Sequence, residues 1–163
     1  MNYLLDANIF IEAKRRYYGM DICPGFWDWL DHAKETGLVA SITLIRDELA
    51  EGGDELSEWA KKRSDSGLFI DVSDTDTQAR FTLIANHVIA ADYTPEAKEK
   101  FLGCADPWLI AKASVQGSTL VTHEVFSDRK NKIKIPNICR HFKVPYLDTF
   151  ELLREHAARF ILS

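Results

Sequence analysis

At 163 residues, with 46% hydrophobic and 28% charged side chains, the chain has the size and composition of one globular domain. Its net charge of −5 lacks the basic excess of a typical nucleic-acid binder, but it does not exclude an enzyme that concentrates acids at one centre. No run of about 20 apolar residues could span a membrane, and the N-terminus lacks the basic-then-apolar order of a secretion signal, so a cytoplasmic protein with no membrane partner is expected.

Short apolar runs alternate with helical patterns along the chain. Tyr3-Leu4-Leu5 reads as the first strand; it ends in Asp6, and a helix begins two residues later. A strand this near the N-terminus is often the central one of a doubly wound sheet, so Asp6 faces the crevice where ligands gather. Phe26, Trp27, Trp29 and Leu30 open a helix that Gly37 can terminate. Leu38–Ser41 reads as the second strand and Leu68–Val72 as the third. Phe81, Ile84, Ala85, Val88 and Ile89 repeat at the spacing of one apolar helix face. Thr94-Pro95-Glu96 joins a cap residue, a proline and an acid at a helix start, and Asp106-Pro107 repeats the first two. Thr119–Thr122 reads as the fourth strand, and Val144–Leu147 as a fifth whose proline suits an edge. Asp148-Thr149-Phe150-Glu151 has the form of a capping box for a last helix. The alternation predicts an α/β protein with a parallel sheet covered on both faces and no internal domain boundary.

Cys23, Cys104 and Cys139 are odd in number and contain no CxxC pair, so they are expected to be reduced and packed as small hydrophobes. The histidines lack ligand spacing, which argues against zinc. Carboxylates are better placed. Asp6 follows strand one, Glu48 lies in the helix after strand two, Asp106 opens a helix, and Glu124 follows strand four. Taken singly, Asp106 reads as a helix cap, Glu48 as a solvated helix residue and Glu124 as a loop acid. Asp6 is the hardest to read as structural, because aspartate is depleted in strands and its neighbours are apolar. Two like charges about 4 Å apart repel by roughly 4 kcal/mol at an effective dielectric of 20, so four converging carboxylates call for a bound cation. Oxygen-only donors suit Mg²⁺ or Mn²⁺, which can activate water at a phosphodiester.

Leu4-Leu5-Asp6-Ala7-Asn8-Ile9-Phe10, Ser41-Ile42-Thr43 with Glu48, Ala105-Asp106-Pro107-Trp108-Leu109-Ile110-Ala111 and Leu120-Val121-Thr122-His123-Glu124 occur in this order along nearly the whole chain. The ordered set resembles the PIN-domain nucleases, especially the small VapC-like toxins of type II toxin–antitoxin pairs. The resemblance implies a three-layer α/β/α sandwich around a mostly parallel sheet of four or five strands. It also implies a metal-dependent endoribonuclease acting on RNA, a cognate antitoxin that blocks the site, and frequent homodimers. By position, Asp6, Glu48, Asp106 and Glu124 become the catalytic acids, with Asp6, Asp106 and Glu124 on the metal, and Asn8 and Thr122 become polar supports. The last acid of the family is most often aspartate. Glu124 departs from that, which leaves Asp128 as a rival there and Asp47 as a rival to Glu48.

Two basic clusters flank these motifs: Lys14, Arg15 and Arg16 after Asn8, and Arg129, Lys130, Lys132 and Lys134 after strand four. They read either as phosphate contacts or as solvated loop and helix ends. Tyr17 and Tyr18 read either as base-stacking or as packing residues. Trp27 and Trp29 cannot share one helix face, which directs one of them to an interface, and Trp108 lies close enough to Asp106 to bear on the site. Two other functions fit parts of the pattern. A haloacid-dehalogenase-like phosphatase also places an aspartate after strand one, but needs a second two residues on, where this chain has Asn8. A PIN fold with a weakened site could act as a binding module, although all four acidic positions here remain acidic. A DNA nuclease of the same superfamily would usually need further insertions.

Overall fold

The computed structural model describes residues 2–162. Five short strands form one parallel sheet: β1 (Tyr3–Leu5), β2 (Val39–Ile42), β3 (Phe69–Ile70), β4 (Thr119–Val121) and β5 (Tyr146–Leu147). Their spatial order is β3-β2-β1-β4-β5, with every pairing parallel, so β1 is central as its early position predicts. Leu4 and Leu5 of β1 and Leu120 and Val121 of β4 have no exposed surface, as parallel strands covered on both faces require. The chain runs outward from β1 through β2 to β3, then returns to the other side for β4 and β5. This reversal opens a crevice at the carboxyl ends of β1 and β4.

Helices fill the connections and complete an α/β/α sandwich of PIN-like form. α1 (Ala7–Glu12) runs on into a π-helical segment, Ala13–Tyr17, closed by a bond from the Tyr18 N–H to the Ala13 carbonyl at 2.7 Å. α2 (Pro24–Glu35) ends before Gly37, whose φ of 75° is the left-handed stop expected of it. α3 (Thr43–Ala50) and α4 (Glu55–Lys62) separate β2 from β3. α5 (Thr75–Ala90), α6 (Pro95–Leu102) and α7 (Asp106–Gln116) lie between β3 and β4, and α8 (Ile135–Phe142) and α9 (Thr149–Glu155) bracket β5. Thr94 caps α6 through the Ala97 N–H, and Asp148 with Glu151 forms the complete capping box of α9.

Several sequence expectations are corrected. On α5, Ile84 and Val88 enter the core, but Ile89 keeps 59% of its surface exposed, so the apolar face is narrower than its periodicity implies. Trp108 stacks on Phe81 with ring centroids 3.9 Å apart and joins α7 to α5, which is a packing role. Trp27 is buried and donates to the Tyr18 carbonyl at 2.7 Å, while Trp29 is only half-buried against the core, so of the two Trp27 is the packing residue. Tyr18 stacks on Phe26 and is withdrawn from any substrate. All three cysteines are free thiols, but only Cys139 is fully buried.

Candidate active site

Asp6 leaves β1 in an extended conformation, and its N–H donates to the Val121 carbonyl at 3.0 Å, locking it beside the end of β4. Its carboxylate accepts from the Thr122 hydroxyl at 3.0 Å and is almost wholly buried. Burial, then the charges of Asp106 and Glu124, push its pKa well above the ordinary carboxylate range, against the Thr122 hydroxyl and the Ala7 N–H, which pull it down. Thr122 also accepts from the Glu124 N–H at 3.1 Å, so one hydroxyl links two acids.

Asp106 is the first residue of α7, with Ala105 in the capping position and no side-chain cap bond, so the reading of Asp106 as a helix cap fails. Burial, then the charges of Glu124 and Glu48, raise its pKa to about 7, opposed by the Cys104 thiol and by Lys132. Glu48 projects from α3 and accepts from the Ala105 N–H at 3.3 Å, next to Asp106. Burial raises the Glu48 carboxyl, while that N–H holds it down. Glu124 accepts from the Ile135 N–H at 3.0 Å, which ties its carboxylate to the start of α8.

The charges of Asp106 and Glu124 thus act on Asp6, and those of Glu124 and Glu48 act on Asp106, which links the four acids through Asp106. The two rivals stand apart. Asp47 is exposed and paired with Arg46 at 2.9 Å, and Asp128 is exposed beyond the crevice. Among the described residues no three His, Cys, Asp or Glu side chains close on a single ion. The donor chemistry nonetheless fits a hard divalent cation: the donors are all oxygen, and Asp6, Asp106 and Glu48, whose pKa values are raised, would gain from one. Mg²⁺ characteristically binds one or two carboxylates and keeps several waters, which suits a set in which Asp6, Glu48 and Glu124 are already held by a hydroxyl or a backbone N–H.

Among the cavities that adjoin the acids, three are lined by lysine or arginine. One of about 110 Å³ brings Lys14 and Arg15 beside Glu48, although the Lys14 ammonium is held by Asp54 at 2.8 Å. Arg16 turns away to Glu12 at 3.2 Å. A second, of about 160 Å³, places Lys132 and Asn131 across from Asp106 and Glu124. The third, of about 410 Å³, runs from Asn8 past Glu124 to Lys134 and is walled by Tyr17 and His123. Arg129, Lys132 and Lys134 line a further hollow outside it. Lys130 is turned to the Tyr93 ring instead, 5.7 Å from its centroid. Sequence reasoning missed the backbone donors Ala105 and Ile135 and the aromatic partner Phe150; only the Pro136 beside Ile135 hinted at a helix start there.

A family described as "Domain of unknown function (DUF4411)" matches residues 3–160. No curated protein matches the chain. A chain in the crystal structure of VapBC2 from Rickettsia felis, bound to a DNA fragment from their promoter, superposes with a TM-score of 0.56 at 15% identity, covering 91% of this chain and 98% of that one. At that identity the likeness is one of fold.

Proposed function

The chain belongs to the DUF4411 family, and from this premise, joined to its PIN-like fold, we propose that it is a Mg²⁺- or Mn²⁺-dependent endoribonuclease paired with a cognate antitoxin. The observation that carries the reading is the convergence of Asp6, Glu48, Asp106 and Glu124, from four separate elements, on the crevice where the sheet order reverses. Asp6, Asp106 and Glu124 would hold the cation, with Glu48 completing the acid set. A divalent ion bound there supplies charge neutralisation and an activated water for phosphodiester hydrolysis. Thr122 orients Asp6 and Glu124 together, Asn8 faces the same cavity as Glu124, and Lys132 and Lys134 offer positive charge to substrate phosphates. The pairing with an antitoxin is supported by the fold shared with VapBC2.

The test is RNA cleavage by the purified chain. Cleavage is expected with Mg²⁺ or Mn²⁺ and not in EDTA, and Asp6→Asn should lower the rate at least ~100-fold, since a metal contributes several kcal/mol and each 1.36 kcal/mol is tenfold. Wild-type rates in EDTA, or from Asp6→Asn, would overturn the mechanism. Induced wild type should also arrest growth where Asp6→Asn does not.

A further inference from the structure

The cavity beside Glu124 is walled in part by the rings of Tyr17 and His123, and phosphodiester hydrolysis does not by itself account for them. Tyr17 stands on the π-helical segment continuing the helix that follows Asp6, and it leaves 49% of its surface open. Its ring is braced from behind. Phe150 meets it edge-on with centroids 5.1 Å apart and an interplanar angle of 82°, and His123 meets it at 6.1 Å. His123 is itself held by the Thr149 hydroxyl at 3.1 Å and by Phe150 at 5.7 Å. A large aromatic ring kept half-open in water, yet packed against two neighbouring rings, is placed to receive another flat group. Lys134 lies in the same cavity, with Arg129 and Lys132 along its outer edge.

We propose that Tyr17, braced by His123 and Phe150, is a stacking platform for one unpaired nucleobase next to the scissile phosphate. This rests on the ribonuclease reading and adds the residue that contacts a base. A ring face, a cation within the cavity and a neighbouring acid site match the base, the phosphate and the reacting bond of one unstacked nucleotide. A duplex hides its base faces within the stack and could not use the platform. Tyr18, the adjacent ring, is spent on Phe26, so the role falls to Tyr17 alone of the pair.

The experiment measures binding without cleavage. A single-stranded RNA carrying 2-aminopurine at successive positions is titrated with the full chain in EDTA, beside the same sequence as a duplex. One position should change in fluorescence on binding, and the duplex should bind at least tenfold more weakly. Tyr17→Leu should weaken single-strand binding about tenfold, since stacking on an aromatic side chain is worth about 1–3 kcal/mol per base. Tyr17→Phe, which keeps the ring, should stay within about twofold, and the circular dichroism of both variants should match wild type. An abasic nucleotide at the responsive position should weaken wild type but leave Tyr17→Leu unchanged. Equal binding by Tyr17→Leu and wild type, or equal affinity for single strand and duplex, overturns the proposal. Because this readout needs no catalysis, it stands or falls separately from the cleavage assay.

Discussion

At the scale of single residues, the crevice sets carboxylates against folding. Asp106 has its pKa raised from 3.8 to about 7, first by burial and then by Glu124 and Glu48. Above that value the folded, metal-free chain carries a charge that the unfolded chain would solvate freely, so stability is lost. As pH falls through 7, the folded chain takes up a proton that the unfolded chain does not bind until near 3.8, and stability returns. Metal-free protein is therefore expected to melt at a higher temperature at about pH 5.5 than at about pH 8. Asp106→Asn should reduce that difference and stabilise the metal-free chain at the higher pH by ~4 kcal/mol, at 1.36 kcal/mol per unit of pKa. Thermal unfolding in EDTA measures both, and an Asp106→Asn variant less stable than wild type would contradict the electrostatics. Legibility at this scale was uneven. Asp6 was visible because an aspartate closes an apolar strand. The choice of Glu48 over Asp47 was not, because adjacent helical residues point about 100° apart and only the packed structure shows which one meets Ala105.

At the scale of elements, caps and turns were read well, and the partners they hold were not. Pro145 placed β5 at the edge, and the Asp148–Glu151 box is complete. α8 was missed, and with it the Ile135 N–H that anchors Glu124, because eight residues behind a lysine-rich loop are a short stretch to read, although Ile135, Ile138 and Cys139 bury one face at helical spacing. The α9 cap reaches beyond its own helix, since Thr149 and Phe150 hold His123 and brace Tyr17. Asp148→Ala should cost about 1 kcal/mol of stability, the usual loss for a capping residue. It should also raise mobility at His123, read as line-broadening of its imidazole NMR signals. An unchanged His123 spectrum would show that the platform is independent of α9. The π-helical segment acts in the same region. Its extra residue per turn sets the angle at which Tyr17 leaves the axis of α1, a choice often found at functional sites.

At the scale of the whole molecule, a net charge of −5 means that any attraction to RNA is local rather than global. Among the described residues, Arg129, Lys132 and Lys134 form the cationic cluster beside Glu124 that could serve it. Three phosphate contacts with a single strand give a slope of about −2 for log affinity against log salt, or a roughly twentyfold loss between about 50 and 200 mM. Fluorescence anisotropy across that range checks it, and salt-independent binding would rule the patch out. The strand order has one more consequence. β1 is made first but pairs with β4, and Thr122 reaches Asp6 across 116 residues of sequence. A polypeptide still emerging from the ribosome thus holds Asp6 and Glu48 long before it has Thr122 and Glu124. Until β4 slides in beside β1 there is no crevice, so the acid site is assembled only late in synthesis.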